Sequence, residues 1–126
     1  MRGDGGEPQQ HKTLCVIIPM LNEEQGLGRL IERLTPALDA TRLDWTALFV
    51  DDGSNDRTLE VLRTHHAKDP RITAISLSRN FGKEVAVAAG LRHTSADAVV
   101  LMDADLQHPP EKIVEFVALW RQGYDV

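Results

Sequence analysis

Four short apolar runs, Leu14 to Ile18, Thr46 to Val50, Ile72 to Leu77 and Ala98 to Met102, are each followed by apolar residues at three- and four-residue steps. This alternation limits the fold more than any other feature. Runs of that length, rich in β-branched residues, suit strands covered on both faces. Leu27, Leu30, Ile31, Leu34 and Leu38 form the first helical stripe, which ends near the turn Thr41 to Asp44. Leu59, Leu62 and His66 follow the second run, Val85, Ala88, Ala89 and Leu91 the third, and Ile113, Phe116, Val117 and Trp120 the fourth. Pro110 and Glu111 suit the start of the last helix, since proline is tolerated in a first turn and a carboxylate complements its positive end. Strands and helices alternating through short connections predict an α/β fold, with a mostly parallel sheet and helices on both faces. Ligands bind such sheets at the carboxyl ends of the strands.

Every polar cluster lies at one of those ends. The first strand runs into Pro19-Met20-Leu21-Asn22-Glu23-Glu24, the second into Asp51-Asp52-Gly53-Ser54, the third into Ser78-Arg79-Asn80-Phe81-Gly82-Lys83, and the fourth into Asp103-Ala104-Asp105. Each has an ordinary reading taken singly: a helix start at Asn22 or Glu23, a turn at Asp51 to Ser54, surface charge at Arg79 and Lys83. Jointly they describe an anion site organised around a cation. Carboxylates one residue apart, such as Asp103 and Asp105, can hold a hard cation, Mg²⁺ or Mn²⁺, while leaving positions open for phosphate oxygens, although singly the triplet also reads as a solvated turn or helix cap. Asp51 and Asp52 can accept hydrogen bonds from a nucleobase N–H or ribose hydroxyls, and Lys83 and Arg79 can face phosphate.

With 42% hydrophobic and 26% charged residues, the 126-residue chain can bury a core as one domain without disulfides. A formal net charge of -5 with scattered basic residues argues against a nucleic-acid partner. The single Cys15 sits in an apolar run and is expected to be a core residue, and a reducing, cytoplasmic setting is the default. Residues 1–13 are expected to be a disordered lead-in, and no stretch reaches the roughly 18 apolar residues of a membrane span.

The four clusters together carry a resemblance. Pro19-x-x-Asn22-Glu23, Val50-Asp51-Asp52-Gly53-Ser54-x-Asp56-x-Thr58, Ser78-Arg79-Asn80-Phe81-Gly82-Lys83 and Met102-Asp103-Ala104-Asp105-Leu106-Gln107-His108-Pro109-Pro110 resemble family 2 glycosyltransferases of GT-A fold. Within them the chain looks like the polyprenyl-phosphate (dolichol-phosphate type) mannosyl- or glucosyltransferase branch, over residues 14–126. The resemblance implies a Rossmann-like nucleotide-diphospho-sugar transferase fold, here its N-terminal nucleotide-sugar-binding part, stopping after about four βα units. It also implies a nucleotide-sugar donor, GDP-mannose or UDP-glucose among others, and a lipid-linked phosphate acceptor at the cytoplasmic membrane face.

By the same resemblance Pro19, Leu21, Glu23, Val50, Asp51 and Asp52 line the nucleoside pocket. Asp103, Ala104, Asp105 and Gln107 surround the diphosphate and its metal, with Asp105 and Gln107 the direct ligands and Asp103 nearer the ribose. Asp103 and Asp105 are the expected catalytic pair. As the anomeric bond breaks, the leaving diphosphate gains negative charge, and positive charge placed there stabilises it. A phosphate acceptor is already anionic, so it needs less help from a general base than a sugar hydroxyl does. In-line attack with inversion is implied.

His108 beside the carboxylates is left out of the metal set, because hard cations prefer oxygen. His65 and His66 read as surface or rim residues, and Trp45 and Trp120 as the edge of a core. The pattern ends at Val126 where the family enters a further strand, so self-association or completion by a second chain is an expectation. A non-catalytic nucleotide- or metal-binding module, a phospho-receiver domain and a purely structural α/β fragment are the other classes. The receiver is disfavoured because its acidic pair should follow the first strand rather than the second.

Overall fold

The structure is a computed structural model and describes residues 12–104 and 109–123. Its elements alternate as the pattern requires: β1 (Thr13–Met20), α1 (Leu27–Ala40), β2 (Asp44–Asp51), α2 (Thr58–Lys68), β3 (Ile72–Ser76), α3 (Lys83–Arg92), β4 (Ala98–Leu101) and α4 (Lys112–Arg121). All strand pairs are parallel, in the order β3-β2-β1-β4. β1 is therefore central, and the connection through α3 returns across it to add β4 on its far side.

Cys15, Ile17, Leu48 and Val50 point to the sheet face under α3, while Val16, Ile18, Ala47 and Phe49 point to the other face. That second face is covered by α1, α2 and α4, through Leu27, Leu30, Leu34, Leu38, Leu62, Ile113 and Val117. Each fully buried side chain of this size contributes roughly 1.5–3 kcal/mol. The α1 stripe is apolar enough to carry Pro36 in the helix interior, where proline costs about 3 kcal/mol. Residues 1–11 of the expected lead-in lie outside the described residues, whereas Thr13 already belongs to β1. No described helix is long and apolar enough to cross a membrane.

Two expected stripes are corrected. The buried residues of α3 are Ala86 and Gly90, with Ala89 packed beside them, whereas Val85 and Leu91 are 46% and 47% exposed. Small residues win because the helix sits close to the sheet: a Cβ on Gly90 would lie 2.7 Å from Ile17 Cγ2. In α4, Ile113 and Val117 are buried, but Phe116 is 46% exposed. His66, the last residue of the second stripe, is exposed at the rim, as its reading as a surface or rim residue has it, and its Nδ1–H donates to the Ile72 carbonyl at 2.6 Å. Cys15 is buried as expected, and burial pushes its thiol up despite a hydrogen bond with Thr94 that works the other way.

Candidate active site

The strand order reverses between β1 and β4, because connections from β1 run one way across the sheet and the last returns to the other side. A crevice opens outside the carboxyl ends at such a switch point. Here it measures about 340 Å³ and draws on all four strand-end loops: Pro19, Leu21 and Glu23 after β1, Asp52 after β2, Asn80, Gly82 and Lys83 after β3, and Asp103 and Ala104 after β4. That is roughly the lower end of the volume range for small-ligand sites. A second hollow of about 550 Å³ shares Pro19, Lys83 and Asp103, and extends over Leu101 and Phe116.

The loops hold one another through side chains acting on backbone. Asn22, at φ +54°, turns the chain out of β1; its amide donates to Ser54 Oγ at 2.8 Å, and its own Oδ1 accepts from the Asn55 amide at 2.8 Å. Glu23 N donates to Thr58 Oγ1 at 2.9 Å, and Glu24 N to Asp56 Oδ2 at 3.2 Å. Asp56 also accepts from the Thr58 amide and hydroxyl. Desolvation opposes ionisation of Asp56, but the bonds from Thr58 and Glu24 prevail and hold its carboxyl below the usual carboxylate range. Ser54, Asp56 and Thr58 thus latch the β1–α1 loop to the β2–α2 loop. Their spacing before a helix is a capping signal, but their partners lie 32 to 35 residues away, out of reach of local sequence reading.

Asp51 and Asp52 are 3% and 5% exposed. Asp51 Oδ1 accepts from the Ser54 amide at 3.3 Å, and its side chain opens on a neighbouring groove with Ser76 and Arg79. Asp52 faces the crevice and accepts from the amides of Phe81, at 2.8 Å, and Gly82, at 3.0 Å. Val50 is fully buried, its side chain packed under α3 beside Gly90 rather than in the crevice. Lys83, the first residue of α3, forms an ion pair with Asp103. Both side chains remain open to solvent, 64% and 40% exposed, so either can exchange its partner for a ligand.

Of the residues singled out from sequence, Pro19, Leu21, Glu23, Asp52, Lys83, Asp103 and Ala104 meet in this crevice, Asp51 borders the adjoining groove and Val50 is core. Asp105, Gln107 and His108 lie outside the described residues. Among the described residues no three His, Cys, Asp or Glu side chains gather as a metal site. Asp103, an oxygen donor at the crevice mouth, fits a hard cation in kind.

A family model described as glycosyl transferase family 2 matches residues 15–126. The chain is 46% identical over 117 residues to an undecaprenyl-phosphate 4-deoxy-4-formamido-L-arabinose transferase of Pectobacterium atrosepticum, covering 91% of this chain and 36% of that protein. It is 42% identical over 117 residues to the uncharacterized glycosyltransferase YkcC of Bacillus subtilis, covering 93% of this chain and again 36% of the relative. The chain thus spans about a third of the length of these relatives. Among solved structures, glucosyl-3-phosphoglycerate synthase of Mycobacterium tuberculosis, in complex with Mn²⁺, UDP-glucose and phosphoglyceric acid, superposes with a TM-score of 0.67 at 26% identity, covering 89% of this chain and 40% of that one.

Proposed function

Because the chain belongs to glycosyl transferase family 2, and its fold is the GT-A fold of nucleotide-sugar transferases, we propose that its crevice binds the nucleoside diphosphate of a nucleotide-sugar donor. The donor is of the UDP-glucose or GDP-mannose type. The observation that carries the reading is the solvent-open Lys83–Asp103 pair at the switch point, an ammonium for a diphosphate beside a carboxylate for a cation. Pro19, Leu21, Glu23 and Asp52 form the nucleoside side of the crevice, with Asp51 at its border. Asp103, Asp105 and Gln107 would hold Mg²⁺ or Mn²⁺, whose charge offsets the negative charge developing on the leaving diphosphate. Lys83 adds a fixed positive charge at the same place.

The acceptor in this reading is a polyprenyl phosphate at a membrane surface, whose anionic oxygen attacks the donor's anomeric carbon with inversion and displaces the nucleoside diphosphate. It is supported by the relative named for undecaprenyl phosphate, and the metal by the neighbour solved with Mn²⁺ and UDP-glucose. Transfer is a property proposed for the whole protein, donor binding for this chain.

Thermal unfolding of the chain with UDP or GDP, each with and without Mn²⁺, tests it. A ligand held only by the folded state at about 100 times its Kd adds about 2.7 kcal/mol and raises the midpoint visibly. One nucleotide should stabilise the chain in the presence of Mn²⁺, with the effect lost in Asp103→Ala and Asp105→Ala. Stabilisation that survives both substitutions, or none with either nucleotide, would reject the donor site.

A further inference from the structure

We propose that Asp52 is a positioning residue, whose buried carboxylate fixes the β3–α3 turn and thereby aims Lys83 into the crevice. The helix that carries Lys83 has no side-chain cap of its own. The acceptors just ahead of it come from another loop: Asp52 Oδ1 takes the Phe81 amide and Asp52 Oδ2 the Gly82 amide, at 2.8 and 3.0 Å. A carboxylate ahead of a helix start also complements the positive end of the helix. Gly82 has φ +101° and ψ 158°, a conformation open essentially to glycine alone, and nothing within 4 Å would crowd a Cβ there. Glycine at this position therefore answers to backbone direction rather than to space. The turn it makes delivers Lys83 as the first helical residue, paired with Asp103.

Asp52 is itself held, because its amide donates to the Met20 carbonyl at 2.8 Å at the end of the central strand. One carboxylate so joins the end of β1, through its own backbone, to the lysine loop. Asn80 Oδ1 supplies only a second, longer contact to the Gly82 amide, at 3.1 Å. Asparagine at position 52 would present one oxygen and one NH₂ to two N–H donors, so whichever way it turns, one bond is lost and two donors face each other.

Two measurements on the chain decide this, and only the second rests on the donor reading. In amide hydrogen exchange, Phe81 and Gly82 should exchange at least tenfold faster in Asp52→Asn than in the wild type, with the β1 and β2 amides unchanged. Unchanged exchange in a folded variant overturns the proposal. In nucleotide titrations with Mn²⁺, Asp52→Asn should lower UDP or GDP affinity about tenfold. Added to Lys83→Ala, the same substitution should lower affinity less than threefold further, because it acts through the missing lysine. Losses that multiply in the double variant would mean that Asp52 acts independently of Lys83 and would overturn it. A wild-type chain that binds neither nucleotide refutes the donor reading, and the exchange comparison still decides for Asp52.

Discussion

Gly53 lies directly against Arg79: a Cβ built on Gly53 would stand 2.3 Å from the Arg79 carbonyl carbon and 2.5 Å from the Asn80 nitrogen. The β2–α2 and β3–α3 loops therefore touch backbone to backbone, with no side chain between them that could give way. Gly53 also has φ +74°, where a Cβ costs about 1–2 kcal/mol by itself. Gly53→Ala is expected to lose about 2–4 kcal/mol in denaturant unfolding, the strain and the displaced loop adding together. A loss under about 1 kcal/mol would show the loops to be separable.

At Gly90 two effects of opposite sign compete. Alanine in a helix interior normally gains about 1 kcal/mol over glycine. Here the added Cβ meets fully buried Ile17 at 2.7 Å, and overpacking a core costs about 1–3 kcal/mol. Gly90→Ala should therefore be neutral to destabilising, and Gly90→Val clearly destabilising, in equilibrium unfolding. A stabilised Gly90→Ala would mean that α3 rides higher on the sheet.

Acid should unlatch the crevice loops. The Asp56 carboxyl is held low by its bonds from Thr58 and Glu24, and that of Asp69 chiefly by its hydrogen bonds with Arg71. A carboxylate with a depressed folded-state pKa contributes stability that is fully present above the unfolded value of about 3.9, and is lost as pH falls through the folded value. Stability should be level above about pH 5 with respect to these two groups and fall below pH 4. Asp56→Asn should flatten that acid limb in a pH series of denaturant midpoints, and an unchanged limb would acquit the latch.

Arg71 stacks on Trp45, 4.1 Å from the ring centroid, while its guanidinium bonds Asp39 and Asp69 at 2.9 and 3.0 Å. Half-exposed pairs of this kind contribute about 0.5–1 kcal/mol each. Arg71→Ala should cost about 1–2 kcal/mol in chemical unfolding, and Arg71→Lys should recover less than half, since an ammonium neither stacks flat nor forks between two carboxylates.

The strands and α1 were legible because their signal is size: all five residues of the first stripe are buried. For α3 the same signal pointed to Val85 and Leu91, which face solvent, while the contact is made by Ala86 and Gly90, residues that matter by being small. At the site, the convergence of four strand-end loops followed from alternation alone. What the motifs could not reveal is which of their polar residues act on the chain itself. Ser54, Asp56 and Thr58 bond backbone across loops, and Asp52 spends both oxygens on amides 29 and 30 residues on. Those pairings exist only once the sheet has brought the loops together.

Strand order also bears on how the crevice is assembled. β1, β2 and β3 pair with sequential neighbours, but β4 must return across them to reach β1, where Thr13 and Asp97 exchange bonds at 2.9 Å across 84 residues. Of the three strand pairs, β1 with β4 joins the residues farthest apart in sequence, and loop closure costs more entropy the longer the segment closed. Asp103, at the end of that strand, therefore depends on the pairing that is most distant in sequence in the sheet. Opening of β4 alone would part Asp103 from Lys83 and from the three other loops that line the crevice.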